Sequence, residues 1–297
     1  MRTRLTALAF LLVLSTGLLR ADDPRPVVDA SKLKQEKIAN PALPTLHIVG
    51  DSTVRIGGAV KGLVGWGERI QPYFDPDKIN VVNEAIGGRS ARTYYTEGRW
   101  QRVENELKPG DFVVIQFGHN DGGRIGDPRN KHRADGKGIG DETVPDTMPD
   151  GSIEQVHTFG WYMAHFVTTA KAKGATVILC APIPHKQRWE KERDFANVAR
   201  WDQEVAQAHG ALFLDLTMVI TDGYKKIGRT QADKFFADKG THTNSAGAEF
   251  NARCVVAGLK GLPGNPLGSF LSRQGQTVPA WRPGSPAVSN HTPNSAD

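Results

Sequence analysis

The sequence predicts an α/β fold in three layers, a five-stranded parallel sheet with helices on both faces. Three observations predict it. Apolar runs of strand length alternate with stretches of helical periodicity along most of the chain. Those runs are close to continuously apolar, as strands enclosed on both faces are, instead of alternating with polar residues. With 297 residues, 39% of them hydrophobic, the chain can also bury a core large enough for this architecture.

The amino terminus stands apart from that pattern. Arg2 and Arg4 precede an apolar run over residues 5–14, and small and polar residues then lead to Ala21. A charged start, a short apolar centre and a small final residue describe a secretory signal peptide over residues 1–21, with an apolar part too short to span a bilayer. The mature chain is expected to be secreted or periplasmic, free of the membrane and monomeric. Removing Arg2, Arg4 and Arg20 leaves 34 basic against 32 acidic residues, a balance of +2 that gives no general attraction to nucleic acid. Residues 22–44 read as a polar leader.

Leu46-His47-Ile48-Val49 is the first strand, and Gly50-Asp51-Ser52 ends it. That ending delivers Ser52 to the crevice where open α/β sheets bind ligands. Residues 55–67 form a glycine-rich loop, residues 68–74 a short amphipathic helix, and residues 79–83 the second strand. Residues 97–107 are helical in character, stopped by Lys108-Pro109-Gly110, and the third strand takes residues 111–117. A loop over residues 118–152, crowded with Gly, Asp and Pro, is expected to be irregular and to wall the site. A long helix over residues 154–173, a strand over 176–180, a helix over 195–209, a strand over 211–215 and a last helix over 245–259 complete a domain spanning residues 45–260. From Gly261 to residue 297, Pro, Gly, Ser and Asn dominate, so this tail is expected to be mobile, with Phe270, Leu271 and Trp281 packing locally. Cys180 and Cys254 lie in apolar runs and read as two buried free thiols.

Four stretches at or beside strand ends carry residue types that acyl transfer needs: Gly50-Asp51-Ser52, Asn83 through Arg92 with Gly87-Gly88, Gly118-His119-Asn120-Asp121, and Asp238 through Asn244. Ester hydrolysis requires a nucleophile, a base for its proton, and donors where negative charge develops on the carbonyl oxygen. Ser52 can supply the nucleophile and His242 the base. The N–H groups of Ser52 and Gly88 and the side-chain amide of Asn120 can supply the donors. A carboxylate on the far ring nitrogen of His242 would hold its tautomer, and Asp238 is the nearest candidate.

In this order and at these strand ends, the four stretches resemble the four blocks of the SGNH (GDSL-type) hydrolases, whose named residues would be Ser52, Gly88, Asn120 and His242. More narrowly, they resemble the rhamnogalacturonan acetylesterase branch. The resemblance covers residues 45–259 and implies a flavodoxin-like fold, no cofactor or metal, and removal of acetyl groups from acetylated plant cell-wall polysaccharide or oligosaccharide by a covalent acyl-enzyme. One position departs from the family: its acid lies three residues before the histidine, where this chain has Lys239. Asp238 lies four residues before, with Gly240 as an apparent insertion.

Other polar residues have plainer readings. His119 braces its loop by hydrogen bonding and Asp51 caps a turn. Arg89, Arg92 and Arg124 lie near the crevice and are candidates to meet uronate carboxylates. Trp66 and Trp189 are loop aromatics that can stack on sugar rings, whereas Trp161 and Tyr162 are helix core. The spacing of His132, His157, His165, His185 and His209 matches no metal-ligand pattern. Esterase action on acetyl-xylan or other short-chain esters, and non-catalytic carbohydrate binding on the same fold, are the alternatives.

Overall fold

The computed structural model describes residues 37–55, 62–190 and 193–283. The signal segment and most of the polar leader lie outside the described residues, as do residues 56–61 of the glycine-rich loop. In chain order the elements are β1 (Thr45–Gly50), β2 (Asn80–Asn83), α1 (Ala91–Thr96), α2 (Arg99–Glu106), β3 (Phe112–Gln116), β4 (Thr143–Thr147), β5 (Ile153–His157), α3 (Phe159–Ala172), β6 (Thr176–Cys180), α4 (Ala196–His209), β7 (Leu212–Leu214), α5 (Leu216–Ile227), α6 (Arg229–Asp233), α7 (Ser245–Gly261) and α8 (Arg273–Thr277).

Five of these strands pair in parallel in the order β2-β1-β3-β6-β7. The sheet therefore grows in opposite directions from β1, and the chain leaves both β1 and its neighbours on the same edge. That reversal opens a crevice at the carboxyl end of β1, where Ser52 follows. The two-residue period of the strands sorts their side chains into two cores. Leu46, Ile48, Phe112, Val114, Ile178 and Cys180 pack with residues of α5 and α7. Val49, Val113, Ile115, Val177 and Leu179 pack with residues of α1, α2, α3 and α4. Both Cys180 and Cys254 are buried free thiols.

His47 stands on the second face where an apolar residue would be usual. Its ring is fully buried, 3.6 Å from Glu84 and 3.8 Å from Asp111. Burial alone would lower its pKa, but the facing carboxylates of Asp111 and Glu84 win and raise it. Among the described residues, His47, Glu84 and Glu106 bring potential ligand atoms within 4.8 Å of one another. The guanidinium of Arg102, donating to Glu84, is the cation of that cluster.

Several elements differ from the expectation. Residues 68–74 are not one helix but part of two 3-10 turns, Trp66–Glu68 and Gln71–Tyr73, because Pro72 cannot donate to a continued α-helical ladder. The helical stretch expected over 97–107 is α2, and a further helix that periodicity did not give, α1, precedes it. Ser90 caps α1 by accepting from Thr93 N, with Thr93 returning the bond, and Gly98, at φ 69°, breaks the chain before α2. The long helix over 154–173 begins only at Phe159, where Thr158 caps it. Before that cap, Val156 is buried between the exposed Gln155 and the half-buried His157, and β5 pairs antiparallel with β4. The loop over 118–152 thus contains half a hairpin. Helices α5 and α6 go beyond the elements expected from periodicity, with Asp215 capping α5. After Gly261 the chain packs instead of trailing: Phe270 lies 5.4 Å from the Phe112 ring, and Trp281 bonds Ala257 O through its backbone and Asp222 through its indole. Residues 284–297 lie outside the described residues.

Candidate active site

The turn after β1 is shaped by a buried carboxylate. Oδ1 of Asp51 accepts from the backbone N–H of Thr53 at 2.8 Å and from its hydroxyl at 2.7 Å, while Oδ2 lies 3.2 Å from Nδ1 of His119. The opposite ring nitrogen of His119 lies 3.1 Å from the carbonyl of Ile183. Burial alone would raise the Asp51 pKa, yet the His119 charge pulls it down; His119 is raised in turn by Asp51. A carbonyl and an ionised carboxylate only accept, so the ring between them donates from both nitrogens as an imidazolium. His119 thereby ties the β1 turn to the loop after β3. At Gly50 a Cβ would lie 2.7 Å from Gln116 O, and only glycine allows the turn this close to β3.

The turn after β2 lies against the same serine. A Cβ on Gly87 would meet that of Ser52 at 3.6 Å, and Gly88 takes the left-handed conformation at φ 77°. Asn120, in the loop after β3, donates from Nδ2 to Arg89 O at 3.0 Å. That loop is anchored by Asp121, whose carboxylate accepts from Ala91 N at 2.7 Å and Gly118 N at 2.8 Å. Ala91 opens α1, so the acid satisfies a free helix N–H. Burial, with the charge of Asp51 adding, raises the Asp121 pKa to about 6.

His242 closes the arrangement from the loop before α7. Its Nε2 is 2.9 Å from Ser52 Oγ and its Nδ1 is 2.5 Å from Oδ2 of Asp238. The other oxygen of Asp238 accepts from the backbone N–H groups of Gly240, Thr241 and His242 at 2.9, 2.8 and 3.0 Å. The loop is wound around the carboxylate, which accounts for the one-residue shift of the acid. A Cβ on Gly240 would lie 2.7 Å from Gln187, so a side chain there would push on the wall that supports the loop. Burial alone would raise the Asp238 pKa, but the N–H of Gly240 and the His242 ring, with the two other N–H groups, hold it down to about 2. Ser52, His242 and Asp238 are therefore in line for proton transfer from hydroxyl to imidazole, and the turn that holds Gly88, to which Asn120 is bonded through Arg89 O, lies beside Ser52.

The arginines divide differently. Arg92 is a correction: it is fully buried, and its guanidinium binds Asp146 at 2.8 Å, both oxygens of Glu154 at 2.8 and 2.9 Å, and Ala134 O at 2.8 Å. With no exposed edge, it holds the hairpin and not a substrate. Arg89 bonds Glu97 at 2.9 Å, while Arg124 is exposed. Trp66 and Trp189 are likewise buried, at 0% and 2% exposure, and offer no stacking face; Trp66 instead donates to Gln116 at 3.0 Å. Two site residues escaped the sequence reading. Gln116 links Trp66 to Thr53, and Arg133 donates to Oδ1 of Asn120 at 2.9 Å. A polar residue closing an otherwise apolar strand was the signal for Gln116; Arg133 had none.

A parallel α/β sheet that presents a serine hydroxyl, an imidazole and a carboxylate in line at its carboxyl edge defines a class, the carboxylic ester hydrolases. Comparison narrows the class. Residues 48–250 match the model of the GDSL-like Lipase/Acylhydrolase family. The chain is 34% identical over 207 residues to a rhamnogalacturonan acetylesterase of Emericella nidulans, covering 69% of this chain and 80% of that protein. It is 27% identical over 227 residues to the probable rhamnogalacturonan acetylesterase YesY of Bacillus subtilis, covering 73% of this chain and 94% of that protein. Its fold is similar to the crystal structure of YxiM from Bacillus subtilis, with a TM-score of 0.55 and 25% identity over 73% of this chain and 56% of that one. The chain belongs to the GDSL-like lipase/acylhydrolase family and is a carboxylic ester hydrolase.

Proposed function

We propose that the protein is an exported acetylesterase that removes acetyl groups from plant cell-wall polysaccharide, rhamnogalacturonan in the first place, through an acetyl-enzyme. The observation that carries the chemistry is the line Ser52 Oγ, His242 Nε2, His242 Nδ1, Asp238 Oδ2, with spacings of 2.9 and 2.5 Å across its two hydrogen bonds. The polysaccharide assignment is supported by the rhamnogalacturonan acetylesterase relatives, one of them 34% identical. Export rests on residues 1–21, which have the make-up of a signal peptide. Among the described residues no helix is long and apolar enough to cross a membrane.

In this reading Ser52 Oγ attacks the acetyl carbonyl as His242 takes its proton. The oxyanion meets the N–H groups of Ser52 and Gly88 and the Nδ2 of Asn120, donors worth about 3 kcal/mol each in the transition state. The intermediate collapses, the C–O bond to the sugar breaks, and the sugar oxygen leaves with the proton from His242. Water then gives a proton to His242 and attacks the acetyl-serine; acetate departs and Ser52 regains its proton. Asp238 keeps the imidazole in the tautomer that accepts from Ser52.

The test is acetate release from acetylated pectin, acetylated xylan and short-chain lipid esters, by the parent and by Ser52→Ala. Release from the pectin above the other two, abolished by the substitution, is the expected result. An unaffected Ser52→Ala would remove the nucleophile, and a preference for xylan or lipid would remove the substrate assignment.

A further inference from the structure

We propose that Arg133, carried by the long insertion after β3, is a positioning residue that orients the Asn120 amide toward the reacting carbonyl. The inference rests on the reading of Asn120 as an oxyanion donor. An asparagine amide presents a donor or an acceptor to a ligand according to which way it is turned, and only the donor stabilises an oxyanion. Here both ends are dictated by neighbours. Arg133 Nη1 donates to Oδ1 of Asn120 at 2.9 Å, and Nδ2 donates to Arg89 O at 3.0 Å. Turning the amide over would set donor against donor and acceptor against acceptor. The same Nη1 reaches Gly88 O at 3.4 Å, so one guanidinium braces both turns that supply donors from outside the nucleophile's own loop. A charged donor on Oδ1 also polarises the amide and strengthens its remaining N–H.

The backbone around Arg133 is held for this purpose. Lys131 and His132, immediately before it, take left-handed conformations at φ 52° and 53° without being glycines. Such strain persists where the surroundings over-determine the chain. His132 Nδ1 lies 3.0 Å from Asp146, Ala134 O accepts from the buried Arg92 at 2.8 Å, and Asp135 N donates to Asp121 O at 3.1 Å. Arg133 itself turns back, with both its backbone N and its Nε donating to Asn130 O at 3.1 and 3.0 Å. The insertion is thus anchored on each side of one side chain, and that side chain ends on Asn120.

A double-mutant cycle on an activated acetate ester and on acetylated pectin tests this. Asn120→Ala should lower kcat about a hundredfold or more, the size usual for one oxyanion donor. Arg133→Met should lower kcat about tenfold or more on both esters with KM little changed, Arg133→Lys should recover part of it, and free guanidinium ion should restore activity to Arg133→Met. In the Asn120→Ala background Arg133→Met should cost nothing further. Equal losses in the two backgrounds, or a change confined to KM for the uronate-bearing substrate, would overturn the positioning role and leave the catalytic reading standing. No loss in Asn120→Ala would take away the donor, and the proposal with it.

Discussion

Replacing Asp238 by Asn is the sharpest perturbation of the relay, because the structure separates what the two carboxylate oxygens do. Oδ1 receives three backbone N–H groups and Oδ2 faces His242 Nδ1 at 2.5 Å. In Asp238→Asn the amide oxygen can keep the three loop bonds, which turns the NH2 group toward Nδ1. Nδ1 must then accept, and the ring proton moves to Nε2, where it points at Ser52 Oγ, 2.9 Å away. Turning the amide over to restore the tautomer would sacrifice the three loop bonds at roughly 1 kcal/mol each, leaving about one molecule in a hundred competent. Losing the charge that steadies the imidazolium adds about 1.5 kcal/mol, the lower end of the range because Asp238 is partly exposed. Together these predict a fall in kcat of about 10³ on an activated acetate ester, in a protein that stays folded with a somewhat lower thermal midpoint because the loop loses its charged acceptor. If Asp238→Asn kept more than a tenth of the parent kcat while remaining folded, Asp238 would not be the acid of the relay. The sign with pH is also defined: the Asp238 pKa is lowered to about 2, so the support it gives the loop is present above the ordinary carboxyl value of 3.8 and is lost as pH falls toward 2.

Three other outcomes follow from named contacts. Arg92→Met should lose about 3 kcal/mol of stability in denaturant unfolding, since it takes the buried cation from Asp146, leaving the His132 ring beside it, and the donors from Glu154 and Ala134 O, whereas Arg124→Ala, at an exposed position, should stay within about 0.5 kcal/mol of the parent. Asp202 is fully buried and neither of its oxygens has a hydrogen-bond partner among the described residues; burial, with the charges of Asp121 and Asp215 adding, raises its pKa well above the ordinary value. Folding therefore takes up a proton there, and stability is lost as pH rises above 3.8, so Asp202→Asn should raise the thermal midpoint more at pH 8 than at pH 4, and an equal rise at both would contradict the assignment. Gly88→Ala should lower kcat on an activated acetate by more than its modest loss of stability explains, because φ 77° must change while the nearest atom to the new Cβ is 3.7 Å off.

The alternation of strands and helices was legible because it is local: residues two or four apart along the chain decide which face is apolar, and that decides the layers. Where local signals compete, periodicity misleads. The stretch before Phe159 carries helix-forming residues, but Thr158 caps α3 and forces what precedes it out of the helix, and β5 pairs with β4 across a turn that periodicity alone does not reveal. Ser52, Gly88, Asn120 and His242 stood out because each offers chemistry or backbone freedom that few residues can replace. Asp238 was legible as a type of residue and displaced as a position, because the loop that wraps its carboxylate is one glycine longer.

Arg92 and Arg133 mark the limit. Both are arginines close in sequence or space to the crevice, and nothing local distinguishes the one that is buried from the one that reaches the site. The partners that decide are distant: Asp146 and Glu154 lie 54 and 62 residues from Arg92, and Asn120 lies 13 from Arg133 across a folded insertion. Pairing of that kind is settled by tertiary structure, through the desolvation of a guanidinium that has to find carboxylates once it is enclosed. The two roles are nevertheless joined. Arg92 accepts burial, holds Ala134 O, and so fixes the backbone beside Arg133, which fixes Asn120. The cation the sequence offered for the substrate thus reaches the site by two steps of structure, and the insertion it anchors bears on the reaction itself and not only on the wall around it.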